Sequence, residues 1–178
     1  MIIVLNGYPG VGKLTIGREL AEVLGGRLLD IHSVYNIAFA LTEFRSPAFR
    51  EAVEEVEAIA HRLVLRLPAT VPVVLTTVLA GDSAWARAEW DRIVALGNAR
   101  PPFLVVHVHC DLEENIRRIQ SPQRDGKRKP RDPEMARRNQ QNGEVLAGSE
   151  ASHFLAIDTT AKMALEAARE IAAWAEAI

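Results

Sequence analysis

Cysteine is nearly absent. Cys110 stands alone among 178 residues, so no disulfide can close within the chain and a reducing, cytoplasmic setting is expected. No stretch reaches the ~18 uninterrupted apolar residues of a membrane span. Met1 to Leu5 is apolar but lacks the basic start and small-residue cleavage site of a secretion signal. No repeat and no low-complexity linker interrupts the chain. Neither sign of charge dominates: 21 basic residues stand against 23 acidic ones, for a net charge of −2 and a pI near 6.2, which argues against a general nucleic-acid binder. What remains, with 48% apolar and 25% charged residues, is the balance of a globular protein with a real core, long enough for one domain over residues 1–178.

The even average hides one concentration of charge. Between Arg117 and Arg138 nine Lys and Arg meet only Asp125, Asp132 and Glu134, so this segment is +6 and the remainder −8. Such a run is either a solvated basic face or an anion-binding lid, here about residues 120–132. Around it, strand-like and helix-like patterns alternate. Ile2 to Leu5, Arg27 to Leu29, Val71 to Leu79, Phe103 to His109 and Phe154 to Ile157 read as strands, the first as one buried on both faces. Helical patterns run from Leu14 to Leu24, from Ser46-Pro47 to Leu67, and from Ser83 to Leu96, the last stopped by Gly97-Asn98. Further helices follow a capping box at Asp111 and Glu114, start at Asp132-Pro133, and close the chain from Met163. Alternation of this kind predicts an α/β fold, a parallel sheet covered on both faces, with ligands at the carboxyl ends of its strands.

Gly7-Tyr8-Pro9-Gly10-Val11-Gly12-Lys13 follows the first strand and opens the first helix, matching G-x-x-x-x-G-K in the context that motif requires. Glycines let backbone N–H groups curl around phosphate oxygens, and the helix N-terminus adds its dipole. Lys13 would reach the outer phosphates and stabilise the charge that develops as a phosphoryl group moves. The next position, normally a Ser or Thr that ligates magnesium, is Leu14, and Thr15 follows. Direct coordination of Mg²⁺ by the protein is therefore not expected. The ion would be held through water, with Thr15, Asp30 or Asp82 as the available oxygens.

This loop, together with Leu28-Leu29-Asp30-Ile31-His32, the arginine-rich segment and Leu155-Ala156-Ile157-Asp158-Thr159, resembles the small P-loop kinases over nearly the whole chain. That group contains adenylate, shikimate and gluconate kinases and chloramphenicol phosphotransferase, and its members are also grouped with AAA-family ATPases. The resemblance implies a five-stranded parallel sheet in the order 2-3-1-4-5, ATP with Mg²⁺, and γ-phosphoryl transfer to a hydroxyl of a small-molecule acceptor. The absence of an Asn-Lys-x-Asp motif favours ATP over GTP. By the same resemblance Gly7, Pro9, Gly10, Val11, Gly12, Lys13, Leu14 and Thr15 bind the phosphates, Thr15 through the α-phosphate. Arg118, Asp158 and Thr159 lie on the nucleotide side, and Asp30 contacts the acceptor hydroxyl as base or orienter.

The other candidates each carry two readings. Asp30 either serves the acceptor or caps a helix beginning at Ile31, and His32 either binds substrate with it or is structural. The third strand offers Thr76 and Thr77 but no acid at its end, so there is no clean magnesium aspartate. Asp82 binds substrate or caps its helix. Arg124 and Arg128 are the lid arginines expected to act in catalysis, with Arg131 beside them and Arg117 or Arg118 at the stem. Tyr35, Phe39, Phe44 and Phe49 line an acceptor pocket or pack the core. His107 and His109 share one face of the fourth strand, as buried hydrogen-bonded histidines rather than a metal pair. A nucleotide-binding regulator or weak ATPase without an acceptor is the alternative function. The sequence leaves the oligomeric state open, a homodimer included.

Overall fold

The computed structural model describes residues 1–81, 83–122, 131–142 and 146–178. Five parallel strands, β1 (Ile2–Asn6), β2 (Arg27–Asp30), β3 (Val73–Thr77), β4 (Phe103–His109) and β5 (Phe154–Asp158), form one sheet in the order β2-β3-β1-β4-β5. This is the order the resemblance implies. β1 is central and buried on both faces. Its odd residues, Ile3 and Leu5, face a core shared with Ile16 and Leu20 of α1 (Lys13–Val23) and Ile171 of α7 (Ala164–Glu176). Its even residues, Ile2 and Val4, face Val64 of α3 (Pro47–Arg66) and Ile93 and Leu96 of α4 (Ala84–Ala99). The period-2 alternation of side chains across a strand thus divides one apolar run between two helical layers.

Helix α2 (Ile31–Leu41) begins directly at the end of β2 and packs on α3 through Val34, Ala38, Phe49 and Val53. Tyr35, Phe39 and Phe44 join Phe49 in a ring cluster with centroid spacings of 5.2 to 5.9 Å, in which Phe49 is buried and Phe44 exposed. Ser46 and Ser83 cap α3 and α4, each accepting a backbone N–H three residues on, as Ser–Pro and Ser–Ala starts should. β3 is shorter than the apolar run suggested, ending at Thr77 because Leu79 already hydrogen-bonds to Asn6 and the 147 segment.

Two expectations fail locally. Helix α4 does not stop at Gly97-Asn98 but continues to Ala99. A Cβ on Gly97 would sit 2.1 Å from the Phe103 ring, so this glycine admits an aromatic side chain rather than ending a helix. Only half of the expected capping box forms at α5 (Leu112–Ile119). Asp111 accepts the Glu114 N–H at 2.7 Å, but the Glu114 carboxylate turns to Arg117 and Arg118, and the Asp111 N–H goes to Thr160. Helix α6 (Pro133–Asn142) completes the set. Among the described residues no helix is long and apolar enough to cross a membrane.

Candidate active site

The loop between β1 and α1 is braced by side chains from three other parts of the fold. Gly10 and Gly12 take φ of 98° and 101°, the left-handed region where a side chain is strained. A Cβ on Gly7 would lie 2.3 Å from the Val108 carbonyl oxygen, so the loop can seat against β4 only with glycine there. Its carbonyls are held from outside: Asn115 Nδ2 donates to Pro9 O at 3.0 Å, and Arg118 Nη1 and the Thr159 hydroxyl donate to Val11 O at 3.1 and 3.2 Å. From below, Asn6 Oδ1 accepts the Gly7 N–H at 2.8 Å while its amide donates to Leu79 O and Ala147 O. Holding the Pro9 and Val11 carbonyls in this way fixes the curled backbone whose N–H groups can converge on an anion.

Lys13 is buried at 8% exposure, and its Nζ donates to Gly7 O at 2.6 Å and Tyr8 O at 3.0 Å, curled over its own loop. A strained glycine cradle, a helix N-terminus and a buried ammonium satisfied by loop carbonyls together fit a polyphosphate. They fit magnesium less well. Leu14 is half-buried and supplies no oxygen, and Thr15 is exposed on the first turn of α1. On the β2–β3 side of the loop, the acid at the strand edge among the described residues is Asp30.

Asp30 ends β2 and occupies the N-cap position of α2, yet its side chain makes no capping bond. Its carboxylate instead accepts the Thr76 hydroxyl at 2.5 Å, and Thr76 Oγ1 in turn accepts the Ile31 N–H at 3.2 Å. The pairing Asp30↔Thr76 in β2–β3 and Leu5↔Thr76 in β1–β3 puts Asp30 level with Leu5, two residues before the phosphate loop begins at Gly7, on the same carboxyl edge of the sheet. Two strand spacings separate them laterally, about 10 Å.

Other expected residues divide. Thr159 is buried and donates to Val11 O and His109 O, while Asp158 is exposed and accepts the Thr160 N–H and hydroxyl, which hold its carboxyl below the usual range. Arg118 binds Thr159 and Glu114 as well as Val11, so in this state it braces the phosphate loop. His32 sits half-buried in the first turn of α2, next to Asp30 in sequence. Arg117 is exposed and paired to Glu114. Arg131 hydrogen-bonds the Gln120 carbonyl. Asp82, Arg124 and Arg128 lie outside the described residues, as does most of the lid, 123–130. His107 donates from Nε2 to the Ala147 carbonyl at 2.9 Å, and among the described residues no His, Cys, Asp or Glu cluster suits a metal.

The structure adds Asn6 and Asn115, which no motif announced, and gives Thr76, already offered by the third strand, its bonds to Asp30 and Ile31. Beyond Thr76, Tyr35, Glu57, His61 and Glu89 converge with Thr77 on a small chamber between β3 and helices α2, α3 and α4. Tyr35 donates to Glu89 at 2.5 Å, and Arg92 pairs with Glu57. Glu57 and Glu89 fall in ordinary helical sequence, and only three-dimensional packing reveals that both are buried.

A family model described as an AAA domain matches residues 3–143. A shikimate kinase of Salinispora tropica is 32% identical over 124 residues, which are 66% of this chain and 65% of that protein. The chain thus spans less than two thirds of the length of the curated relatives it matches. Among solved structures, a sugar kinase from Janibacter sp. HTCC2649 superposes with a TM-score of 0.65 at 17% identity, covering 98% of this chain and 94% of that one. Shikimate kinase from Acinetobacter baumannii, in complex with shikimate, gives 0.61 at 22% identity, covering 99% and 93%. At such identities the likeness shows the fold, that of the P-loop kinases.

Proposed function

Since the chain belongs to the AAA-domain family, we propose that it is an ATP-dependent phosphotransferase that moves the γ-phosphoryl group to a hydroxyl of a small-molecule acceptor. The observation that supports this most is that Asp30, at the carboxyl end of β2, accepts the Thr76 hydroxyl rather than capping α2, on the same sheet edge as the glycine cradle that holds Lys13. ATP binds with its outer phosphates in the loop of residues 7 to 13. Lys13 exchanges its loop carbonyls for phosphate oxygens and neutralises charge on the transferring group. The acceptor hydroxyl lies against Asp30, which takes its proton as the oxygen attacks the γ-phosphorus and the bond to the β-bridging oxygen breaks, releasing ADP. Bound Mg²⁺ would supply positive charge against that of the phosphates, and Asp30 or Thr15 would be the oxygens available to hold it through water. The kinases among the relatives and neighbours agree with this reaction class.

A regulator or weak ATPase is the competing reading, favoured by Leu14 and by the threonines that end β3 where an acid would help hold magnesium. Two variants separate them. Lys13→Ala should abolish acceptor-dependent ADP release and weaken ATP binding. Asp30→Asn should keep ATP affinity while lowering turnover by about 10²-fold or more, the usual scale for a general base. Turnover unchanged in Asp30→Asn, or ATP hydrolysis indifferent to every acceptor in a metabolite pool, would favour the regulator.

A further inference from the structure

The chamber beyond Thr76 has features that packing alone does not require. It measures about 30 Å³, room for one or two water-sized groups. Three oxygen-bearing residues of its wall are almost wholly buried: Thr77 at 2%, Glu89 at 3% and Glu57 at 5% exposure. Thr77 Oγ1 has no hydrogen-bond partner among the described residues, an omission that costs free energy unless something polar enters. Thr76, which also lines the chamber, carries the hydroxyl bound to Asp30, so the chamber adjoins the proposed site of transfer.

Its charge is unbalanced. From α4, Arg92 pairs with Glu57 and with the more exposed Glu54 of α3, and it contributes no atom to the chamber wall. Glu89 is hydrogen-bonded by Tyr35 and Trp85, both neutral donors, and feels Arg92 only through space. Burial holds His61 below its ordinary pKa, so at neutral pH it adds no positive charge. One buried carboxylate therefore lacks a cation. An ammonium group is the size of a water, carries one positive charge and has three donors to match the Thr77 hydroxyl and the two carboxylates. A carboxylate or phosphate placed there would meet like charge.

Resting on the kinase reading above, we infer that this chamber takes the protonated primary amine of the acceptor, making the substrate an amino alcohol whose hydroxyl is presented to Asp30. Acidic acceptors are excluded by the same two carboxylates, a difference in specificity from a kinase that binds shikimate, itself an acid.

The test uses three linear six-carbon polyols that differ at one end: 1-amino-1-deoxysorbitol, sorbitol and gluconate. Binding to the full chain is measured by titration calorimetry, with and without Mg²⁺ and a non-hydrolysable ATP analogue. The amine should bind at least about tenfold more tightly than sorbitol, and gluconate most weakly, the scale expected for one desolvated charge pair. Glu89→Gln should abolish the preference for amine over sorbitol, and Thr77→Val should weaken amine binding, with thermal melts confirming that both variants fold. Equal binding of amine and sorbitol, tighter binding of gluconate, no binding of the amine in either condition, or an undiminished preference in Glu89→Gln would each overturn the inference. Calorimetric binding requires no turnover, so these outcomes are distinct from failure of the kinase reading, which Lys13→Ala decides.

Discussion

Glu89 is a carboxylate whose burial works against its ionisation. Burial raises its carboxyl from the ordinary 4.5 to about 7, against the opposing help of the Tyr35 hydrogen bond, and the same carboxylate and burial push the Tyr35 phenol up. Because the folded protein holds this proton more tightly than the unfolded chain, the group stabilises nothing above pH 7. Between pH 4.5 and 7 stability falls as pH rises. Glu57, also raised chiefly by burial, acts in the same direction. Glu89→Gln keeps an acceptor for Tyr35 and removes the ionisation. It should therefore gain stability over the parent at pH 8, by up to about 3 kcal/mol, and lose that advantage at pH 4. Urea unfolding at the two pH values measures it; an equal difference at both would mean that the Glu89 carboxyl has the same pKa folded and unfolded. Glu114, held at about 2 chiefly by its Arg117 hydrogen bond, works in the opposite sense and only at lower pH. Residues such as Glu89 are poorly legible in sequence, since a glutamate on an amphipathic helix looks solvated until α2 and α3 close over it. Lys13 and Asp30 were legible because the loop motif and the strand end fix where they must be.

At the scale of elements, α4 shows how a punctuation residue is overruled. Gly97-Asn98 carries the composition of a helix stop, yet the helix runs through both, and the glycine's missing side chain is filled by Phe103 from the start of β4. Helix propensity alone favours Gly97→Ala by about 1 kcal/mol. The clash with the ring should dominate, so the variant should lose about 1–3 kcal/mol, the usual cost of overpacking. Thermal unfolding would measure this, and adding Phe103→Leu should recover part of the loss. A variant more stable than its parent would mean that β4 and α4 can shift apart freely. The half-made capping box at α5 has a related origin. Glu114 is drawn away from Asp111 by Arg118, whose other donors hold Val11 and Thr159, so a local helix signal yields to the bracing of the phosphate loop. Strand order and helix existence were readable from alternation and resemblance, whereas these departures depend on partners far away in sequence.

Across the whole molecule, the 2-3-1-4-5 order separates two kinds of work on either side of β1. On the β4–β5 side, α5 and the end of β5 contact the phosphate loop directly: Asn115 reaches Pro9, and Arg118 and Thr159 reach Val11. On the β2–β3 side, α2 and α3 build a separate apolar cluster around Val34, Ala38, Phe49 and Val53, with the chamber of Thr77, Glu57 and Glu89 at its inner edge. A nucleotide that replaces loop carbonyls as partners of Lys13 should tighten the first group and leave the second nearly unchanged. Hydrogen exchange with Mg²⁺ and a non-hydrolysable ATP analogue should then slow in residues 7–15, in α5 and around residues 158–160, with little change in α2 and α3. At 100-fold saturation the linked stabilisation is about 2.7 kcal/mol, large enough to read as a thermal shift, and Lys13→Ala should remove most of it. An amino-alcohol acceptor should produce the complementary pattern, protecting α2, the middle of α3 and the first half of α4. If the nucleotide protects both groups equally, the two sides are coupled through β1 and β3 rather than independent. Binding order would then follow from the nucleotide preparing the acceptor site, a coupling that reciprocal affinity measurements would quantify because each ligand must strengthen the other by the same factor.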